Sequence, residues 1–123
     1  MRSEYFGSAK VTYFDADRVW DELRRFAAQL GETHPEITRI AVFGSLPAGR
    51  AVPGSDVDLL VIVSASDLPF LDRGPVYRPD SFPVGVDVFA YTEEEARQML
   101  AEGNSFLRRV LAEAVTLFER VAD

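Results

Sequence analysis

Three aspartates and one glycine–serine step are the residues whose types and spacing could do chemistry. Gly44-Ser45 opens the stretch "GSLPAGRA", Asp56-Val57-Asp58 heads the apolar run 59–63, and Asp87 stands within "VGVDVFAY", residues 84–91. Side chains of an extended chain alternate between faces, so Asp56 and Asp58 point the same way, roughly 7 Å apart. Val57 and Leu59 then point to the opposite, apolar side. Two such carboxylates repel each other unless something positive lies between them, and neither has a Lys or Arg two positions away. Asp87, flanked by Val86 and Val88, turns from the apolar face in the same manner. If the two strands are neighbours in register, three carboxylates converge. Hard oxygen donors with no His or Cys among them suit Mg2+, which keeps several waters and takes phosphate oxygens as its other ligands. The plainer alternative makes Asp56 a turn residue after Gly54-Ser55 and pairs Asp87 with an arginine.

The glycine turn fits a phosphate. Gly44 would end a strand, where the missing side chain lets a ligand approach the backbone. The Ser45 hydroxyl and the amides of the next turn can donate to phosphate oxygens, with Pro47 placed where a first helical turn tolerates it. The glycine spacing mimics a Walker A loop, but Arg50 replaces its lysine and Ala51 its Ser/Thr, so that motif is rejected. Ser45 lacks the paired glycines of a hydrolase nucleophile elbow, and the one histidine, His34, reads as a solvated connector beside Pro35.

The elements that must position these residues follow from periodicity. Asp15 or Asp17 can cap a helix with Val19, Trp20, Leu23, Phe26, Ala27 and Leu30 at helical spacing and Gly31 as its stop. Residues 10–14 read as a short edge strand, and 37–43, 56–63 and 84–91 as three further strands. Residues 68–83, rich in Pro, Asp and Arg, read as a long surface connection. Thr92 with Glu95 makes a capping box for a helix to about Glu102, and Gly103-Asn104 closes it and caps the next. That last helix would carry Phe106, Leu107, Val110, Leu111, Ala114, Leu117, Phe118 and Val121 on one stripe. The fold class is α/β or α+β, a small mixed sheet flanked by helices, and residues 1–123 are expected to form a single domain.

Composition narrows the function. Apolar residues at 47% and charged residues at 27% are the balance of a globular protein. A formal charge of -7 argues against a dedicated nucleic-acid binder, which needs a basic surface, yet it allows an anionic nucleotide escorted by a divalent cation. The absence of cysteine excludes disulfides and thiolate metal sites. The opening "MRSEYFGSAKVTYFDADR" has no unbroken apolar stretch, and no run approaches membrane length, so a cytoplasmic location without membrane contact is expected.

Gly44-Ser45, ten intervening residues, Asp56-Val57-Asp58 before an apolar strand, and Asp87 in a later strand resemble the DNA polymerase β-like nucleotidyltransferase superfamily. Within it the length resembles that of the minimal nucleotidyltransferases, small prokaryotic proteins often encoded beside a helical HEPN partner as the antitoxin of a toxin–antitoxin pair. The resemblance implies a two-metal Mg2+ site on Asp56, Asp58 and Asp87, and Gly44 and Ser45 holding the β- and γ-phosphates of ATP. It implies that Asp87 helps deprotonate an acceptor hydroxyl, with AMP passing to a protein partner. Many relatives carry arginines where this chain has Leu46 and Ala48, which leaves Arg50 as the cation nearby and weakens the triphosphate clamp. Two further readings therefore stay open: a nucleotide-binding antitoxin that neutralises its partner by binding alone, and an aminoglycoside-type transferase that uses a homodimer to build its acceptor site.

Overall fold

The computed structural model describes residues 14–121. Helix α1 (Ala16–Thr33) begins where the Asp15 carboxylate accepts the Arg18 amide at 3.1 Å, so Asp15 is the cap, while Asp17 lies in the first turn, where the helix dipole favours a negative charge. Val19, Leu23, Ala27 and Leu30 are buried along one stripe, as their spacing predicts. The helix passes Gly31 and ends at His34, whose amide donates to the Leu30 carbonyl. Gly31 is not a stop but a packing site: a Cβ there would lie 2.5 Å from the Phe118 ring.

The remaining elements are β1 (Ile37–Phe43), β2 (Val57–Val63), α2 (Phe70–Tyr77), β3 (Val86–Thr92), α3 (Glu93–Ala101), α4 (Ser105–Glu113) and β4 (Val115–Glu119). The sheet order is β3-β2-β1-β4. Strand β1 runs antiparallel to β2 and to β4, and β2 runs parallel to β3, so the sheet is mixed and the fold is α+β. Successive residues of β2 face opposite layers. Val57 and Leu59 meet Val19 and Leu23 of α1, while Leu60 meets Leu107 and Val110 of α4. Val57, Leu59, Leu60, Val61 and Val63 are at most 1% exposed, and each such side chain contributes about 1.5–3 kcal/mol by leaving water. With both faces covered, β2 is the rigid strip that carries Asp58.

Two elements differ from expectation. The segment 68–83 is not an unstructured connection, because α2 forms within it despite Gly74 and Pro75. Tertiary contacts override the poor helix propensity. Arg73, 5% exposed, donates to the Leu68 and Ala90 carbonyls and forms a bidentate pair with Glu95 at 2.6 and 3.0 Å. Tyr77 enters the core with its hydroxyl on Glu36. The last helix is also shorter than its stripe, ending at Glu113, with Val115 to Glu119 forming β4 against β1. Leu107 and Val110 pack on the α4 face, whereas Leu117 and Phe118 pack with the α1 layer, and one helical stripe cannot reach both sides of a sheet. The predicted strand 10–14, apart from Phe14, lies outside the described residues. Strands β2 and β3 start at Val57 and Val86, slightly later than expected. His34 is half-buried, with its ring edge on Tyr77 and Nδ1 3.4 Å from Glu36. Among the described residues no helix is long and apolar enough to cross a membrane.

Glu95 joins three elements: it closes the Thr92 capping box of α3 and neutralises Arg73 of α2 beneath β3. Glu95→Ala leaves a buried guanidinium unpaired and should cost about 3 kcal/mol in a urea titration. The hydrogen bonds from Arg73 hold the Glu95 carboxyl down to about 2 against an ordinary 4.5. Its folded value is depressed, so its stabilisation is complete above the ordinary carboxylate range and is lost as pH falls towards 2. Unfolding free energy measured across that window should fall more steeply for the native chain than for Glu95→Gln.

Candidate active site

Parallel pairing of β2 with β3 sets Asp58 directly opposite Asp87. On its other side Asp58 is the partner of Phe43, the last residue of β1, so the chain leaving β1 at Gly44 turns beside the Asp58 side chain. Gly44 adopts φ +87°, and a Cβ there would lie 2.6 Å from Asp58 Oδ2. Glycine is required twice over, by the left-handed backbone and by the carboxylate that fills the space a side chain would take. Asp56 stands one residue before β2. Its carboxylate fills the space a side chain on Gly85 would take, and the Val57 amide donates to the Gly85 carbonyl at 2.8 Å. The register and the two glycines bring Asp56, Asp58 and Asp87 to one end of the β2–β3 pair.

Their charges interact. Burial first, then Asp87, then Asp56 push the Asp58 carboxyl above its ordinary value. No Lys or Arg lies within ion-pair distance of the three among the described residues, so the alternative that Asp87 is neutralised by an arginine is not realised there. Nor, among the described residues, do any three His, Cys, Asp or Glu side chains stand close enough to grip one ion as they are. The full convergence expected from strand alternation is thus not reached. Asp56 precedes the strand, so alternation does not aim it, and like charges favour separation. The donor set still fits a hard divalent cation: carboxylate oxygens with no cationic partner among the described residues, two of them in cradles that a Cβ would fill.

The glycine turn supplies the other half. Residues 45–49 form a turn rather than the start of a helix, so no helix dipole contributes. The Ala48, Gly49 and Arg50 amides donate back to Gly44, Leu46 and Ser45. The Ser45 and Leu46 amides find no acceptor among the described residues and, with the Ser45 hydroxyl, remain as donors. The bond from the Arg50 amide to the Ser45 carbonyl at 2.9 Å folds Arg50 back, and its residue lines an open depression of about 340 Å3 with Gly44, Pro47, Ala48 and Glu113. Leu46 is 5% exposed and belongs to the α1 layer, so position 46 serves packing here, not phosphate. Gly85 and Glu113 were missed in the sequence. Gly85 could have been noticed as a glycine leading into the Asp87 strand, but Glu113, distant in the chain, carried no local signal.

The family profile described as Nucleotidyltransferase domain matches residues 21–117. Among solved structures, the chain is similar to a Sulfolobus solfataricus protein described as a candidate nucleotidyltransferase, with 16% identity, TM-score 0.59, and 85% of this chain and 84% of that one covered. It is also similar to a toxin–antitoxin structure with AMP-PNP, with 17% identity, TM-score 0.54, and 79% and 73% covered. At these identities the likeness is one of fold. No curated protein sequence matches this chain.

A raised Asp58 pKa means that the folded chain binds its proton more tightly than the unfolded chain, so ionising Asp58 costs stability as pH rises above the unfolded value. Asp58→Asn should therefore raise the melting temperature in chelator at neutral pH, with the gain vanishing in acid. Asp87→Asn should move the Asp58 carboxyl back towards its ordinary range in a carbon-detected NMR titration. An unmoved Asp58 would place the two beyond electrostatic reach.

Proposed function

The chain belongs to the nucleotidyltransferase domain family, and from that premise we propose that it transfers AMP from Mg·ATP to a hydroxyl of a protein partner. One observation carries the reading: Asp58 is in register with Asp87 while its carboxylate lies against Gly44, so acid ligands and phosphate donors share one end of the sheet. Asp56, Asp58 and Asp87 would hold the divalent cations. Bound there, the cations supply neutralisation of the charge that develops on the attacking and leaving oxygens. The Ser45 and Leu46 amides and the Ser45 hydroxyl orient the β- and γ-phosphates, and Arg50 offsets their charge. Asp87 accepts the proton of the acceptor hydroxyl. A bond forms between that oxygen and the α-phosphorus, and the bond from the α-phosphorus to pyrophosphate breaks.

The toxin–antitoxin neighbour with AMP-PNP supports an adenine nucleotide and a protein acceptor, for which a helical HEPN-type partner is the natural candidate. Residues 1–123 would then be one minimal nucleotidyltransferase domain working in the cytoplasm, where Mg·ATP is abundant. A second reading, neutralisation of the partner by binding alone, is favoured by one observation: Leu46 is buried, Ala48 is neutral, and Arg50 shares its depression with Glu113.

Incubation with α-labelled ATP, Mg2+ and a helical protein encoded beside this one should label the partner. An Asp56→Ala/Asp58→Ala variant should label nothing. Equal labelling by that variant would end the transfer reading, and partner neutralisation by it without any labelling would favour binding alone. Arg50→Ala should raise the KM for Mg·ATP about tenfold, the cost of one charge-assisted contact.

A further inference from the structure

We infer that Gly85 is a positioning residue for the metal site, acting through Asp56: the lack of a side chain at 85 reserves the space in which the Asp56 carboxylate stands. The inference rests on the assignment of Asp56 as a cation ligand. Asp56 needs such a device more than Asp58 does. Asp58 is held by β2, paired to β1 and β3 on either side, whereas Asp56 lies outside the strand and is exposed, so neither pleat nor packing aims it. What leaves room for its carboxylate is the neighbouring backbone at Gly85. The Val57 amide donates to the Gly85 carbonyl at 2.8 Å, bringing the two backbones together. A Cβ built on Gly85 would stand against Asp56 Oδ1, 3.1 Å from its Cγ and 3.7 Å from its Oδ2, so its three nearest heavy atoms all belong to the Asp56 carboxylate.

The two glycines of the site differ in a way that makes this testable. Gly44 has φ +87°, so a side chain there strains the backbone and confounds the result. The φ of Gly85 is not positive, so its backbone is one that alanine adopts. Its clash is with the end of a short, exposed side chain, which can rotate away at little cost to folding. Gly85→Ala should leave the fold intact and turn the Asp56 carboxylate from its place at the Asp58 and Asp87 end of the β2–β3 pair. Gly85 is thus a supporting residue set one contact behind a ligand, a kind of position whose loss weakens metal affinity by about 10–100-fold.

The test is a double-mutant cycle on the full chain, with Mn2+ alone titrated by electron paramagnetic resonance and melting followed in chelator. Gly85→Ala should bind Mn2+ about tenfold more weakly than the native chain with an unchanged melting temperature. In an Asp56→Ala background the same substitution should have no further effect, because there is no carboxylate left to displace. Native Mn2+ binding by Gly85→Ala, alongside a loss in Asp56→Ala, would overturn the inference and leave the metal assignment standing. An undiminished effect of Gly85→Ala in the Asp56→Ala background, or a lowered melting temperature, would also overturn it, since Gly85 would then act by another route. Native binding by Asp56→Ala would remove the metal assignment itself, and this inference with it.

Discussion

Parallel hydrogen bonding between β2 and β3 sets Asp58 beside Asp87, and that enforced proximity of like charges is the constraint on which the site depends. A carboxylate half-withdrawn from water beside a second one is a standing cost to the fold. The strand can bear it because the five residues from Val57 to Val63 at most 1% exposed anchor β2 between two helical layers. The surplus of apolar burial holds the acids where they would not settle by themselves. The attraction of a bound cation to each carboxylate would outweigh their mutual repulsion, so the feature that weakens the free protein is the one that would give it affinity.

The disposition of arginines follows the same logic. Arg73 is committed to Glu95 and to the carbonyls of Leu68 and Ala90, and Arg120 to the carbonyls of Ile37 and Gly31. Arg39 is bonded to Thr116. These side chains lock α2, β4 and the sheet margins and have little left for a ligand. Among the described residues, Arg50, exposed and folded back by the turn, is the arginine set beside Gly44. With a formal charge of -7 on the chain, an anionic nucleotide would depend on its own cations for admission.

Much of this was legible in the chain because it is local. The Thr92–Glu95 capping box, the Asn104 cap, the α1 stripe and β1 ending before Gly44 are each encoded within a few residues of where they form. Where expectation failed, distant contacts decided. Pro75 and Gly74 speak against a helix, yet Arg73 and Tyr77, seated on β3, Glu95 and Glu36, hold one together. The apolar spacing after Glu113 suits a helix, but the free side of β1 offers backbone partners, and Gly31 leaves room for Phe118.

The amino-acid sequence by itself determined the kinds of groups present and their local conformations: three aspartates without neighbouring cations, a glycine–serine step, a mixed pattern of helices and strands, and membership of a family. Only the tertiary structure decided which of those groups meet. Register is a property of two strands and not of one, and β2 and β3 are joined through the α2 crossover, so nothing local sets Asp58 against Asp87. The same holds for Gly85 beside Asp56 and for Glu113 lining one depression with Arg50. Each pair is brought together by packing, whose energy comes from area buried between elements far apart in the chain.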